Sequence, residues 1–130
     1  MKACDTQIYA ATYKLSSEIV SVARHFPRDL KPGLGFPMID ISMRMVLSVY
    51  RANFAREGRA EIIEKLLEDL HVLELAVRLS SDQGNVSREK HGEIIELTDS
   101  IGRQAYRWMQ DAQRRQAPRN NSGKRHGQNG

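Results

Sequence analysis

Residues 37–50 read PMIDISMRMVLSVY, and the fold turns on how the apolar positions in this stretch are counted. Steps of four, three and four residues from Ile39 give Ile39, Met43, Val46 and Tyr50, one face of a helix. Starting from Met38 gives Met38, Ile41, Met45 and Val49, a second face. At about 100° per residue the two stripes point roughly 125° apart. Asp40, Arg44, Ser48 and Arg51 form a polar stripe between them. A small protein has one core, so a second apolar face predicts something outside the subunit.

The chain around this stretch reads as helix throughout. The segment before it carries Ile8, Ala11, Leu15, Ile19 and Val22 at helical spacing from about Thr6 to His25, with Asp5 or Thr6 as N-cap. FPRDLKPGLGFP follows, and its prolines and glycines predict a loop with no helix. Pro37 suits the first turn of the second helix, where a missing N–H costs nothing, and that helix ends near Arg56 before a turn at Gly58. A third helix runs from about Arg59 to Ser81 on Ile63, Leu66, Leu70, Leu73 and Val77. Ser87 caps a fourth, which reaches about Gln113 with the seam Ile94, Thr98, Ile101, Ala105, Trp108 and Ala112. No repeat and no strand pattern interrupts them. Four amphipathic helices of about 20 residues predict an all-α, antiparallel up-down-up-down four-helix bundle over residues 1–115. PRNNSGKRHGQNG, within 116–130, has no aliphatic residue and predicts a disordered basic tail.

Length and composition agree with a single domain. The 130 residues leave no room for two domains, and 40% apolar with 28% charged residues is ordinary for a globular chain. Cys4 stands alone, which fits a reducing, cytoplasmic setting. No signal-peptide pattern or membrane-length apolar run is present, so no membrane partner is expected. The charge is uneven. Residues 1–87 carry 11 Lys/Arg against 11 Asp/Glu, whereas residues 88–130 carry 9 against 5 and hold the whole net charge of +4.

No arrangement of residues points to catalysis. The GLG triplet lies between prolines rather than between a strand and a helix, so it is not a phosphate loop. Glu68-x-x-His71 has the spacing used by di-iron bundles, with Glu64 one turn earlier, but a second such motif is missing and the pair points away from Leu66. His25, His91 and His126 join no cluster. The expectation is a non-enzyme with no cofactor and no metal site.

Basic residues point instead to nucleic acid. Arg103, Arg107 and Arg114 fall within about 40° of one another on the fourth helix, opposite the Ile101/Trp108 seam, with Arg115 beside them. Arginines one to three turns apart can bind successive phosphates bidentately. Arg44 and Arg51 add a second, net-basic stripe on helix two. A solvated helix face has the same pattern; the basic tail decides for RNA or DNA, held by its backbone rather than its bases. Surplus apolar residues predict self-assembly. Met38, Ile41, Met45 and Val49 on helix two, with Val72, Leu75 and Leu79 on helix three, are the expected homo-oligomer interface, although spacing alone does not decide which of the two helix-two stripes faces the neighbour; Glu61, Glu64 and Glu68 could face a neighbour's basic stripe.

The loop ending GLGFP, then SMRMVLSVYRANFAREG, then a leucine-rich helix, resembles a group of small bacterial four-helix bundle proteins. The group includes proteins encoded by intervening sequences in 23S rRNA genes and Avd, the accessory variability determinant of diversity-generating retroelements. IGRQAYRW, residues 101–108, is more similar to the Avd branch. Ser48-Val49 and Asn53-Phe54-Ala55 echo the intervening-sequence pattern, but Arg56 stands before Glu57-Gly58 and departs from it. The resemblance implies a pentameric, basic accessory protein that binds a reverse transcriptase and nucleic acid. The alternative is a scaffold of the intervening-sequence type with no nucleic-acid activity.

Overall fold

The computed structural model describes residues 6–129, with side chains through Arg115. It is all-helical, a bundle of four long helices with no strand among the described residues. These are α1 (Gln7–Ala23), α2 (Phe36–Phe54), α3 (Arg59–Asp82) and α4 (Arg88–Asn129). Cys4 and the side chains of the expected tail, 116–130, lie outside the described residues.

Local chemistry sets the boundaries. Thr6 is the N-cap of α1, its hydroxyl accepting from the Tyr9 N–H at 3.0 Å. Ser87 does the same before α4, accepting from the Lys90 N–H at 3.1 Å. Gly58, at φ +72°, and Gly84, at φ +81°, make the turns before and after α3 in the left-handed region that glycine enters without a Cβ clash. The stretch FPRDLKPGLGFP departs from the expected plain loop. Lys31–Gly35 forms a π-helical turn that runs directly into α2. Pro32 stands at its start, where its missing N–H is no loss, and the Gly35 N–H bonds to the Leu30 carbonyl at 3.2 Å. Gly35 is buried here; a Cβ on it would come 3.4 Å from the Phe26 ring.

α2 packs against α1 and α3, α3 against α4, and α4 against α1, so α2 and α4 take opposite corners. The core is continuous, from Leu15 and Ile19 through Met38, Met45 and Val49 to Ile63, Leu66, Leu73 and Val77 and then Ile94 and Ile101. The seams expected for α3 and α4 lie inside, except that Trp108 is only half-buried. Several polar contacts fix how the helices meet. Ser16 and Ser42 share a buried hydroxyl hydrogen bond at 3.1 Å between α1 and α2. Ser80 of α3 meets the Met38 sulfur of α2 at 3.6 Å. At the other end of the same pair, Arg59 donates from Nε to the Ala52 carbonyl at 2.7 Å and from Nη2 to Ala55 at 3.0 Å. It thereby satisfies carbonyls that the end of α2 would leave bare. Lys90 of α4 holds Glu18 of α1 at 2.8 Å and Glu93 at 3.0 Å. Hydrogen bonds to Glu18 first, then to Glu93, push its pKa above the ordinary lysine range.

Candidate functional site

The two stripes of α2 divide cleanly. Met38, Met45 and Val49 are wholly buried and Ile41 is 9% exposed, all within the subunit's own core. That corrects the expectation that Met38, Ile41, Met45 and Val49 face a neighbour. α1 and α3 flank α2 on the side where Ser42 meets Ser16 and Met38 meets Ser80, which turns this stripe inward. The outward stripe is the other one, and it is longer than its first four members. Phe36, Met43, Leu47, Tyr50 and Phe54 are spaced by seven, four, three and four residues and all are exposed, while Ile39 and Val46 are half-buried at its edge.

This outward face continues onto α1. Tyr13, 61% exposed, lines a groove of about 520 Å³ between the two helices with Ser16, Ser17, Val20, Met43 and Val46. A second hollow of about 410 Å³ joins Tyr9 to Met43, Leu47 and Tyr50. The Tyr50 and Phe54 rings sit 5.1 Å apart at 53°, a tilted pair that presents one aromatic surface. Val72, Leu75 and Leu79 form a separate exposed patch on α3, with at least 49% of each side reaching solvent.

A charged strip lies between the two patches, and it claims Arg44. The carboxylate of Asp69 on α3 is buried, and its Oδ1 meets Arg44 Nη2 at 3.3 Å and Lys65 Nζ at 3.5 Å. Arg44 Nη1 also holds Asp40 at 2.6 Å. A guanidinium divided between two carboxylates has less to offer a phosphate, so Arg44 is primarily a link between α2 and α3. Arg114 and Arg115 also have an acidic partner, both meeting Asp111, at 3.0 Å and 3.4 Å. Arg51, Arg103 and Arg107 are exposed and make no ion pair among the described residues. The six arginines do not form one surface. Arg44 and Arg51 sit on α2, Arg103, Arg107, Arg114 and Arg115 on α4, at the opposite corner.

At the end of the bundle where α2 stops, a cleft of about 300 Å³ opens between Asn53 on α2, Arg59 on α3, and Trp108, Asp111, Ala112 and Arg115 on α4. Helical spacing places Trp108 and Ala112 in the α4 seam and singles out neither Asn53 nor Arg59. The signal was the half-polar company of Trp108: Arg107 before it, Asp111 three residues on and Arg115 seven on. Among the described residues, no group of three or more His, Cys, Asp or Glu could hold a metal ion, and Glu64, Glu68 and His71 are exposed on α3. No described helix is long and apolar enough to cross a membrane. Comparison of the chain with protein-family models, curated proteins and solved structures gives no match.

Proposed function

We propose that this chain is a non-enzymatic, self-assembling adaptor of the cytoplasm, an accessory protein of the Avd kind that joins a protein partner to nucleic acid. The observation that carries the reading is the outward stripe of α2: Met43, Leu47, Tyr50 and Phe54, each at least 46% exposed, continued by Tyr13 of α1. Contiguous apolar surface of this sort mostly marks an interface. Burying such side chains contributes about 1.5–3 kcal/mol each when complete, enough for a few to favour association.

The two patches are unlike, one rich in aromatics across α1 and α2, the other aliphatic on α3. Unlike patches favour head-to-tail contact, which closes into a ring when the rotation permits. A pentamer is the ring the resemblance implies. Within each subunit the helices run antiparallel, up-down-up-down, a reading supported by the pairs Met38–Ser80 and Ala52–Arg59 at opposite ends of α2 and α3. Arg103 and Arg107, exposed on α4 and without acidic partners among the described residues, hold phosphate, and assembly multiplies weak contacts. A protein partner such as a reverse transcriptase takes apolar surface left open by the assembly.

One observation favours the scaffold alternative. Arg44, Arg114 and Arg115 are already engaged with Asp69, Asp40 and Asp111, which lowers the count of cations ready for phosphate. Light scattering with a labelled RNA or DNA at low salt separates these readings. The adaptor reading expects an oligomer at micromolar concentration that Leu47→Glu reduces to a monomer, and nucleic-acid binding that falls log-linearly with salt. An oligomer that binds neither RNA nor DNA leaves the scaffold. A monomer sinks both.

A further inference from the structure

The cleft at the α2–α3 end of the bundle has a chemistry that an arginine stripe lacks. Its lining combines Trp108, Asn53 and two arginines, Arg59 and Arg115. Arg59 is held in place by the carbonyls of Ala52 and Ala55, through Nε and Nη2, so it does not have to be ordered when a ligand arrives. Among the described residues Asp111 is the one carboxylate in the wall, and its two oxygens already meet Arg114 and Arg115. The surroundings therefore keep a cationic surplus. Trp108 is half-buried, which fixes the ring while leaving part of it to the cleft. Arg107 and Arg103 are exposed on the same helix but on the face turned away from Trp108, so the cleft is separate from that stripe.

An aromatic surface selects a flat, polarisable group, guanidiniums select an anion, and the amide can both donate and accept. We propose that this cleft takes one unpaired nucleotide of a single-stranded nucleic acid. Its base lies against Trp108 beside Asn53, and its phosphate meets the outer edge of Arg59 and the part of the Arg115 guanidinium that its one contact to Asp111, through Nη2 at 3.4 Å, leaves open. A duplex keeps its bases stacked and paired and cannot present one to a hollow of about 300 Å³ without extruding it. The cleft thus gives a preference for unpaired strands, which the arginine stripe by itself does not. The proposal rests on the nucleic-acid reading above for the strand, but the cleft can be tested apart from it.

Trp108 is the chain's only tryptophan, so the intrinsic emission of the full-length protein reports on the cleft directly. Emission is followed while adenosine monophosphate, inorganic phosphate and a short single-stranded RNA are added in turn at low salt. Anisotropy of labelled RNA is measured in parallel. The expected result is saturable quenching by the mononucleotide and by the RNA, and none by phosphate. Base stacking on an aromatic side chain corresponds to about 5–150-fold in affinity, so Trp108→Leu should weaken RNA binding within that range. Arg115→Ala, at an exposed position that folding does not need, should weaken mononucleotide quenching. RNA that binds by anisotropy without touching the emission overturns the cleft and leaves the nucleic-acid reading intact. Mononucleotide quenching without RNA binding supports the cleft and overturns that reading. Equal quenching by phosphate reduces the site to a plain anion site and overturns the proposal, as does silence from all three ligands.

Discussion

Met43 and Met45 lie two residues apart on α2 and differ by their whole environment: Met45 is fully buried, Met43 is 57% exposed. The pair gives a clean test of which way this helix faces. Met45→Ala removes a thioether from a core lined by Leu15, Ile19, Leu66 and Leu73. Truncating a buried methionine costs about 2–5 kcal/mol, the spread reflecting how far the walls collapse. Met38 and Met45 lie in the same cluster, and a flexible neighbour can fill part of the void. A value near the middle, about 3 kcal/mol, is expected. Against a total stability of about 5–15 kcal/mol this is a large fraction. At about 3–6 °C per kcal/mol for a chain of this size, the melting temperature should fall by about 10–18 °C. Met43→Ala removes a side chain that water already reaches, so its direct cost to the subunit should be about 0.5 kcal/mol or less. Its effect should appear in association instead. Complete burial of such a side chain is worth about 1.5–3 kcal/mol, or roughly 10–150-fold in dissociation constant. Circular dichroism melts at several protein concentrations, beside light scattering on dilution, read both quantities, because stabilisation by assembly makes melting concentration-dependent. If Met45→Ala melts within about 2 °C of the parent, or Met43→Ala loses as much as Met45→Ala at the lowest concentration, the assignment of the two faces is wrong.

Three other outcomes are expected. Asp69→Ala removes a buried carboxylate that receives Arg44 and Lys65; both cations are about half exposed, so the cost should be about 1–2 kcal/mol by urea denaturation rather than that of a fully buried pair. A double-mutant cycle with Arg44→Ala should return a coupling of about 0.5–1 kcal/mol, and zero coupling would show that Arg44 is free to serve elsewhere. Gly58→Ala, at φ +72°, should cost about 1 kcal/mol, while Gly33→Ala, whose Cβ would meet nothing within 4 Å, should be neutral or slightly stabilising; equal losses in thermal melts would contradict the turn geometry. Replacing Arg103 and Arg107 with alanine removes two phosphate contacts, so the log–log salt slope for single-stranded binding should shrink by about 1.4, and an unchanged slope would take those residues off the interface.

The sequence carried the fold because each helix has an unbroken apolar seam at helical spacing, whatever surplus apolar residues it also carries. On α3, Ile63, Leu66, Leu70, Leu73 and Val77 all prove buried, and spacing alone was enough to name them. On α2 spacing defines the angle between two stripes but not the direction of the core, which α1 and α3 set. Part of that direction was nevertheless written in the chain. Extending the Met38 stripe by three from Val49 reaches Ala52, and Ser42 lies beside it; both are small residues that let neighbouring helices approach, and both are buried. Extending the other stripe by four from Tyr50 reaches Phe54, beside Arg56 and Glu57 near a helix end. The π turn was missed for a different reason. Proline and glycine were read as helix breakers, although a proline in an opening turn breaks nothing. Of the cleft the chain shows only the charged neighbours of Trp108, because Asn53, Arg59 and Trp108 come from three helices and only their packing brings them together.

The charged strip between the two apolar patches bears on how assembly would work. Apolar surface open to water promotes indiscriminate association unless its width is limited. Here Asp40, Arg44, Asp69 and Lys65 run between the α2 stripe and the α3 patch, tied by three ion pairs that converge on Asp69 and Arg44, with Lys65 also reaching Glu68. Such pairs, mostly exposed, contribute little to stability. Their value lies in specificity. A partner that slides from one patch towards the other must bury these charges, which costs far more than the added apolar contact returns. The charges therefore bound each patch on the side that faces the other, leaving the α1/α2 groove and the α3 stripe as two separate surfaces that a helix of a second subunit or of another protein can match. On this argument, neutralising the strip with Lys65→Met and Glu68→Leu should broaden the association into heterogeneous aggregates rather than strengthen a defined oligomer. Light scattering that instead shows a single, tighter species would mean that the strip plays no part in partner choice.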